Sequence, residues 1–164
     1  MALIPATLTA PPLPRRRQLL FGTAFAAVGV GMFELALVGT YLAERSAHRA
    51  TWLTENVIPL TQPNMQLGTV VLGPLFIPWP VWAIARNERG QAYLGLGLTL
   101  LMGAAFLNQT TFLWKTVGLR MAQQEGPTFY AATGAHFAIV GIAMAFIVLM
   151  GIRTLGGQFS SRLP

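Results

Sequence analysis

The sequence predicts an all-α, polytopic membrane protein, a bundle of four transmembrane helices. Three observations carry that expectation. Of 164 residues, 54% are hydrophobic and only 10% charged, with a mean hydropathy of +0.55, whereas a soluble domain carries about 25% charged residues. The charges are bunched, leaving four long stretches with almost none. Cysteine is absent, so disulfides, thiolate metal sites and iron–sulfur clusters play no part in holding the fold. So little charge does not wet the surface of a chain this long, which excludes a soluble enzyme, a free nucleic-acid binder and a disordered chain.

Residues 1–17 read as a flexible N-terminal tail, because residues 1–14 hold no charge and Pro5, Pro11, Pro12 and Pro14. Residues 18–164 then form the four-helix transmembrane domain. A spanning helix needs about 20 apolar residues, so each low-charge stretch holds one crossing. The first span is placed at 18–43, with Glu34 its one ionisable group. The second is placed at 64–86, in the uncharged run 56–85 and closing on Arg86, and the third at 91–115, in the run 90–114 and closing on Lys115. The fourth is placed at 128–153, in the uncharged run 126–152 that only His136 interrupts, and closes on Arg153. Helices are expected because lipid leaves backbone groups no partners outside a helix or a closed barrel. No stretch shows the ~10-residue alternation of a barrel strand.

Eleven Lys and Arg against five acidic residues give a net charge of +6. In a DNA-binding domain that excess would suggest phosphate contacts; here the basic residues lie at the edges of apolar runs and orient the chain. A cytoplasmic N-terminus keeps Arg15, Arg16, Arg17, Arg86, Arg89, Arg153 and Arg162 inside, and leaves Arg45, Arg49, Lys115 and Arg120 outside. The expected location is a bacterial-type inner (cell) membrane, multi-pass, with both termini cytoplasmic. Tyr41, Trp114 and Tyr130 at the outer ends and Trp82 and Tyr93 at the inner ends fit the usual aromatic belts. An alternative reads Arg15-Arg16-Arg17 and Ala24-Phe25-Ala26 as an export signal with a cleavage site. The apolar stretch is about twice the usual signal core, and three more spans follow it.

The segment 44–62 is the longest loop, marked as wet by Glu44, Arg45, His48, Arg49 and Glu55. Pro74, Pro78 and Pro80 fall within the second span, and each removes a donor and bends a helix. A kinked packing helix is the first reading, a shaped cavity the second. Asn108, Gln109, Thr110 and Thr111 cover the whole circumference of the third span. They mark either a wet outer end or a face covered by a larger subunit. Ionisable residues inside a membrane are functional candidates by default, which singles out Glu34 and His136. By helix rise, Glu34 lies ~5 Å and His136 ~6 Å from the middle of their spans, both in the outer half. Matching depth on two helices makes them the candidate buried polar pair or lipid contact. No nucleotide loop and no nucleophile–base constellation is present, so no catalytic, cofactor-binding or metal residue is assigned.

The stretch Phe129-Tyr130-Ala131-Ala132-Thr133-Gly134-Ala135-His136, an apolar helix, and then Arg153-Thr154-Leu155-Gly156-Gly157-Gln158-Phe159-Ser160 resemble the penultimate helix of subunit III of the haem–copper (cytochrome c) oxidases. Ala85-Arg86-Asn87-Glu88-Arg89-Gly90 resembles that family's short basic cytoplasmic turn, and Leu98 to Leu107 its next helix. Met32-Phe33 and Tyr41 are similar to its Met-Phe-Phe…Tyr helix. The resemblance covers about residues 20–162. Departures mark a shortened and diverged member. Val30 stands where the family has Glu, with Glu34 one turn along; Ile139 stands where it has a second His. Phe112, Leu113 and Trp114 occupy the region of its acidic residue, and its final helix has no counterpart before Pro164.

The resemblance implies a non-catalytic component of a haem–copper respiratory oxidase complex that supports assembly, lipid binding and proton and oxygen access. The haem and copper are expected in the partner catalytic subunit, none of them bound by this chain. Its expected partners are that subunit, other subunits of the complex and phospholipids, with no nucleic acid. A related nitric-oxide-reductase accessory subunit reads almost the same. The alternative from another class is a small proton-coupled transporter using Glu34, against which the 44–62 loop and the Thr-Gly-x-His stretch count. An accessory subunit of another membrane complex is the third reading.

Overall fold

The computed structural model describes residues 15–53 and 58–156. Among them lie five helices and no strand: α1 (Arg15–Ala47), α2 (Thr61–Phe76), α3 (Pro78–Ala85), α4 (Arg89–Thr116) and α5 (Gly126–Leu155). Four segments are long and apolar enough to cross a membrane: Gln18–Ala47, Thr61–Ala85, Arg89–Thr116 and Gly126–Leu155. The all-α, four-span architecture is therefore the one the charge gaps predict. The described residues fall into two compact units, one within Met1–Ala36 and one within Leu37–Pro164.

Most helix ends lie beyond the sequence expectation, the end of the second span at Ala85 excepted. α1 begins at Arg15, three residues inside the expected tail, and continues to Ala47 instead of stopping at 43. Residues 1–14 of that tail lie outside the described residues. The sequence limits followed hydropathy, but a helix ends where its backbone ladder is broken, and nothing between Arg15 and Ala47 breaks it. Proline at 14 stands immediately before the helix, where a missing N–H does no harm. Within the first unit the Thr23 hydroxyl lies 2.9 Å from the Leu19 carbonyl and 3.0 Å from that of Leu20. It bonds its own helix and stays compatible with an apolar setting.

The expected second span, 64–86, is two helices separated at Ile77. Ile77 keeps helical dihedrals (φ −63°, ψ −43°). Backbone conformation therefore continues through the junction while Pro78 and Pro80, which carry no N–H, interrupt the hydrogen-bond ladder. Pro74 is held inside α2 without ending it. α3 closes on Arg86 and Asn87, whose N–H groups donate to the carbonyls of Ala83 and Ile84 at 3.1 and 3.0 Å. Asn87 takes the left-handed conformation (φ 65°) that such a turn requires. Beside it the Arg86 guanidinium stacks over the Trp82 ring at 3.7 Å.

α4 is the centre of the second unit, packing against α2, α3 and α5. Its buried residues, Ala92, Gly95, Thr99, Phe106, Thr110 and Leu113, recur at spacings of three, four and seven, one stripe along a helix. The stripe is small at one end, where Gly95 meets Pro80, and bulky at the other. There Leu113, Val117, Leu119 and Phe129 form the buried core, with Leu53, Ile58, Trp114 and Tyr130 packed on it.

Leu53 and Ile58 of the loop thus lie on this core, so the loop expected to be wet is wet in part only. Trp52 is 9% exposed and its ring meets Tyr41 edge-on at 5.4 Å. The Leu53 N–H donates to Oε1 of the buried Glu125 at 2.6 Å, and the Tyr130 hydroxyl donates to the Leu119 carbonyl at 2.8 Å. Gly118 supplies a positive φ (68°) in the α4–α5 turn, and Gly126 packs directly on the Arg120 carbonyl, where a side chain has no room. Residues 54–57 of the loop, including Glu55, lie outside the described residues.

Candidate functional site

α2 and α5 both flank α4, and between them runs an apolar groove of about 220 Å³. α5 contributes His136, Val140, Ala143, Met144 and Ile147, residues that share one face because four- and three-residue steps return to it. α4 supplies the floor with Thr99, Met102, Gly103 and Phe106, and α2 the far wall with Thr69, Val70, Gly73 and Pro74. The prolines thus help shape a cavity as well as a packing surface. The absence of a side chain at Gly103 is what admits Met144, whose sulfur lies 2.7 Å from where a Cβ would stand.

His136 is the titratable residue of the groove lining. Its ring packs against Phe106 at 5.0 Å between centroids and 60° between planes. The two threonines of the lining turn their hydroxyls to backbone: Thr99 donates to the Gly95 carbonyl at 2.8 Å, and Thr69 lies 3.0 Å from that of Met65. Among the described residues no three His, Asp or Glu side chains gather as metal ligands do.

The polar run of the third span resolves into separate roles. Thr110, 1% exposed, donates to the Phe106 carbonyl at 2.9 Å and accepts from Nε2 of Gln66, also at 2.9 Å. Gln109 Oε1 lies 3.2 Å from the Thr69 hydroxyl. Thr111 bonds back to the Asn108 carbonyl at 2.8 Å, and Asn108 is exposed. Two of the four residues therefore join α4 to α2 in the apolar layer. Sequence reasoning named the run but missed its partners. The available signal was Gln62, Gln66 and Thr69, which at i, i+4 and i+7 mark one polar face of α2. Trp114 also finds a partner, its indole N–H donating to the Thr133 hydroxyl at 2.9 Å. Thr133 and His136 are the two polar residues of the Thr-Gly-x-His stretch, the first bonded to Trp114 and the second lining the groove.

Of the two ionisable candidates, His136 lines the groove on α5. Glu34 sits on α1, one turn beyond Val30, in the unit within Met1–Ala36.

No family model matches the chain. Among curated proteins, cytochrome c oxidase subunit 3 of Spodoptera frugiperda is 31% identical over 114 residues, covering 67% of this chain and 78% of that protein. The Tetraodon nigroviridis subunit 3 is 26% identical over 151 residues, 90% of this chain and 58% of the relative. The Homo sapiens subunit 3 is 29% identical over 105 residues, 63% and 40%. Against the second and third of these the chain spans little more than half, or less, of the relative's length. Identity at this level over two thirds of the chain, on four helices able to span a membrane, places it: the chain belongs to the cytochrome c oxidase subunit 3 family.

Proposed function

We propose that this chain is a non-catalytic, subunit III-type component of a haem–copper respiratory oxidase complex. It would sit in a bacterial-type cell membrane with both termini cytoplasmic, the side on which Arg15, Arg16 and Arg17 favour retention. The observation that carries the reading is the match to subunit 3 over 78% of a relative's length. Haem and copper belong to the catalytic partner. This chain's own residues pack, line the groove and hold its polar crossings in register. Exposed Ile142, Phe146 and Leu149 on α5 suit lipid or the transmembrane surface of a larger subunit. The groove suits an acyl chain or a small apolar solute such as oxygen, because it is lined almost entirely by apolar side chains.

The test is co-purification. The tagged chain, extracted from its native membrane in a mild detergent and resolved by blue-native electrophoresis, is expected to carry haem absorbance at the size of a multi-subunit complex. A folded chain that migrates alone, beside an intact oxidase lacking it, refutes the reading.

A further inference from the structure

The polar run of α4 holds one side chain that the packing of the second unit does not use. Gln109 and Thr110 bond across to α2, and Thr111 bonds back to its own helix. Asn108 is exposed, and among the described residues its amide meets no hydrogen-bond partner. Depth makes that costly. Asn108 lies ~8 Å beyond the middle of α4 (Arg89–Thr116) at 1.5 Å per residue, within a hydrocarbon half-layer of about 15 Å. Lys115, two turns further on, marks the polar edge. A carboxamide has an N–H pair to donate and an oxygen to accept with, and acyl chains satisfy neither. A hydrogen-bonding surface therefore has to cover this side of α4.

That side is a continuous seam. Leu94, Gly97, Leu101, Ala104 and Asn108 are all exposed and follow one another at steps of three, four, three and four. This is the heptad spacing that keeps two helices in contact along their length. Gly97 has no atom within 4 Å of an added Cβ. Gly97 and Ala104 stand one heptad apart, and both are small enough to let a second backbone come close. α2, α3 and α5 pack on α4 elsewhere, over the buried stripe from Ala92 to Leu113.

The amide selects what lies on the seam. A carboxamide both donates and accepts, so a second carboxamide at the same depth satisfies it in full. A two-fold axis along the membrane normal brings the same residue of two identical chains together, with no other sequence having to match it. A single Asn in a heptad seam is also the residue that sets register in a helix pair. Lys115 prolongs the seam, but its stem carries the ammonium into the polar layer, where like charges on two copies are screened.

We propose that α4 carries a homodimer interface: two copies of this chain pack in parallel along the seam from Leu94 to Asn108, their Asn108 amides hydrogen-bonded to each other. The chain has no cysteine, so single-cysteine variants of the full chain report contacts cleanly. Ala104→Cys, oxidised in the native membrane with copper phenanthroline, is expected to form a disulfide-linked dimer at about tenfold the yield of Ile142→Cys. Ile142 is exposed and equally central, but on α5. The amide is tested on the full chain in dodecyl maltoside, by fluorescence energy transfer between N-terminally labelled copies. Asn108→Leu should weaken the dimer about fivefold, and Asn108→Gln, which keeps the carboxamide, less than about twofold. Should Asn108→Leu lose helix content by circular dichroism, Ala104→Ile decides: it fills the seam without touching the amide and is expected to weaken the dimer about tenfold. Equal cross-linking at Ala104 and Ile142 overturns the proposal, as does an Ala104→Cys product joined to a different chain. A dimer unchanged in the folded Asn108→Leu or Ala104→Ile variant overturns it too.

Discussion

Replacing Gly95 with alanine sets a methyl group against a proline ring that has no rotamer in which to move aside. The added Cβ would lie 2.7 Å from Pro80 Cδ and 3.1 Å from the Pro80 backbone nitrogen, where carbon contacts are optimal at about 3.5–4.0 Å. Pro80 is buried, and Ala83 beside it on α3 is 0% exposed, so α3 must shift away from α4 as a body. Gly97, two residues along the same helix, has nothing within 4 Å of its added Cβ. Both changes gain the same helix propensity, about 1 kcal/mol. The difference between the two variants therefore isolates the clash, about 1–3 kcal/mol for overpacking a close contact. That corresponds to roughly 5- to 150-fold in the unfolding equilibrium. The assay is a titration of the purified chain in dodecyl maltoside with rising sodium dodecyl sulfate, followed by helix content. Gly97→Ala should unfold at or beyond the wild-type midpoint and Gly95→Ala clearly before it. Gly103→Ala should fall between, because its neighbour is the flexible Met144 side chain. Equal midpoints for Gly95→Ala and Gly97→Ala would refute the tight α3–α4 contact.

Three further outcomes are expected. Glu125→Ala leaves the Leu53 N–H without its 2.6 Å acceptor and should cost about 1.5–3 kcal/mol in the same assay, with Glu125→Gln costing less; identical losses would show that the carboxylate is not the clasp. Thr110→Val strands the Gln66 amide at a cost of about 0.6–1.7 kcal/mol, the range of hydrogen bonds between membrane helices. Gln66→Leu added to it should cost less than the two single losses together, and strict additivity would separate the residues. The matching depth of Glu34 and His136 in their spans makes coupling the expectation: Glu34→Gln and His136→Gln each lower the yield of haem-bearing complex, and the double change costs less than the sum. A double variant that loses the full sum refutes the coupling.

What the sequence alone determined was set by one-dimensional chemistry. Lipid excludes unpaired charge and unpaired backbone at every position along a span, so the gaps between Arg17 and Glu44, Glu55 and Arg86, Arg89 and Lys115, and Glu125 and Arg153 were enough to place four helices. The Thr-Gly-x-His stretch and the Arg-Asn-Glu-Arg turn pointed to the family for the same reason, being contiguous. Tertiary structure decided everything that depends on which residues meet. Pro78 and Pro80 read as bends in one helix, yet Ile77 holds helical dihedrals and only the ladder is interrupted. Gln66 carries no charge and no motif, and acquires meaning only opposite the buried Thr110. Trp52 lies in a segment that reads as wet and Glu125 is 73 positions away in numbering, yet both are buried. The Leu53 N–H beside Trp52 bonds the Glu125 carboxylate, while Leu53 and Ile58 pack on Leu113, Val117, Leu119 and Phe129. His136 could be named from its isolation in an apolar run, but not the groove around it. That groove exists because α2 and α5 both pack on α4 and Gly103 leaves room for Met144, a matter of volumes on three helices that no single stretch of sequence contains.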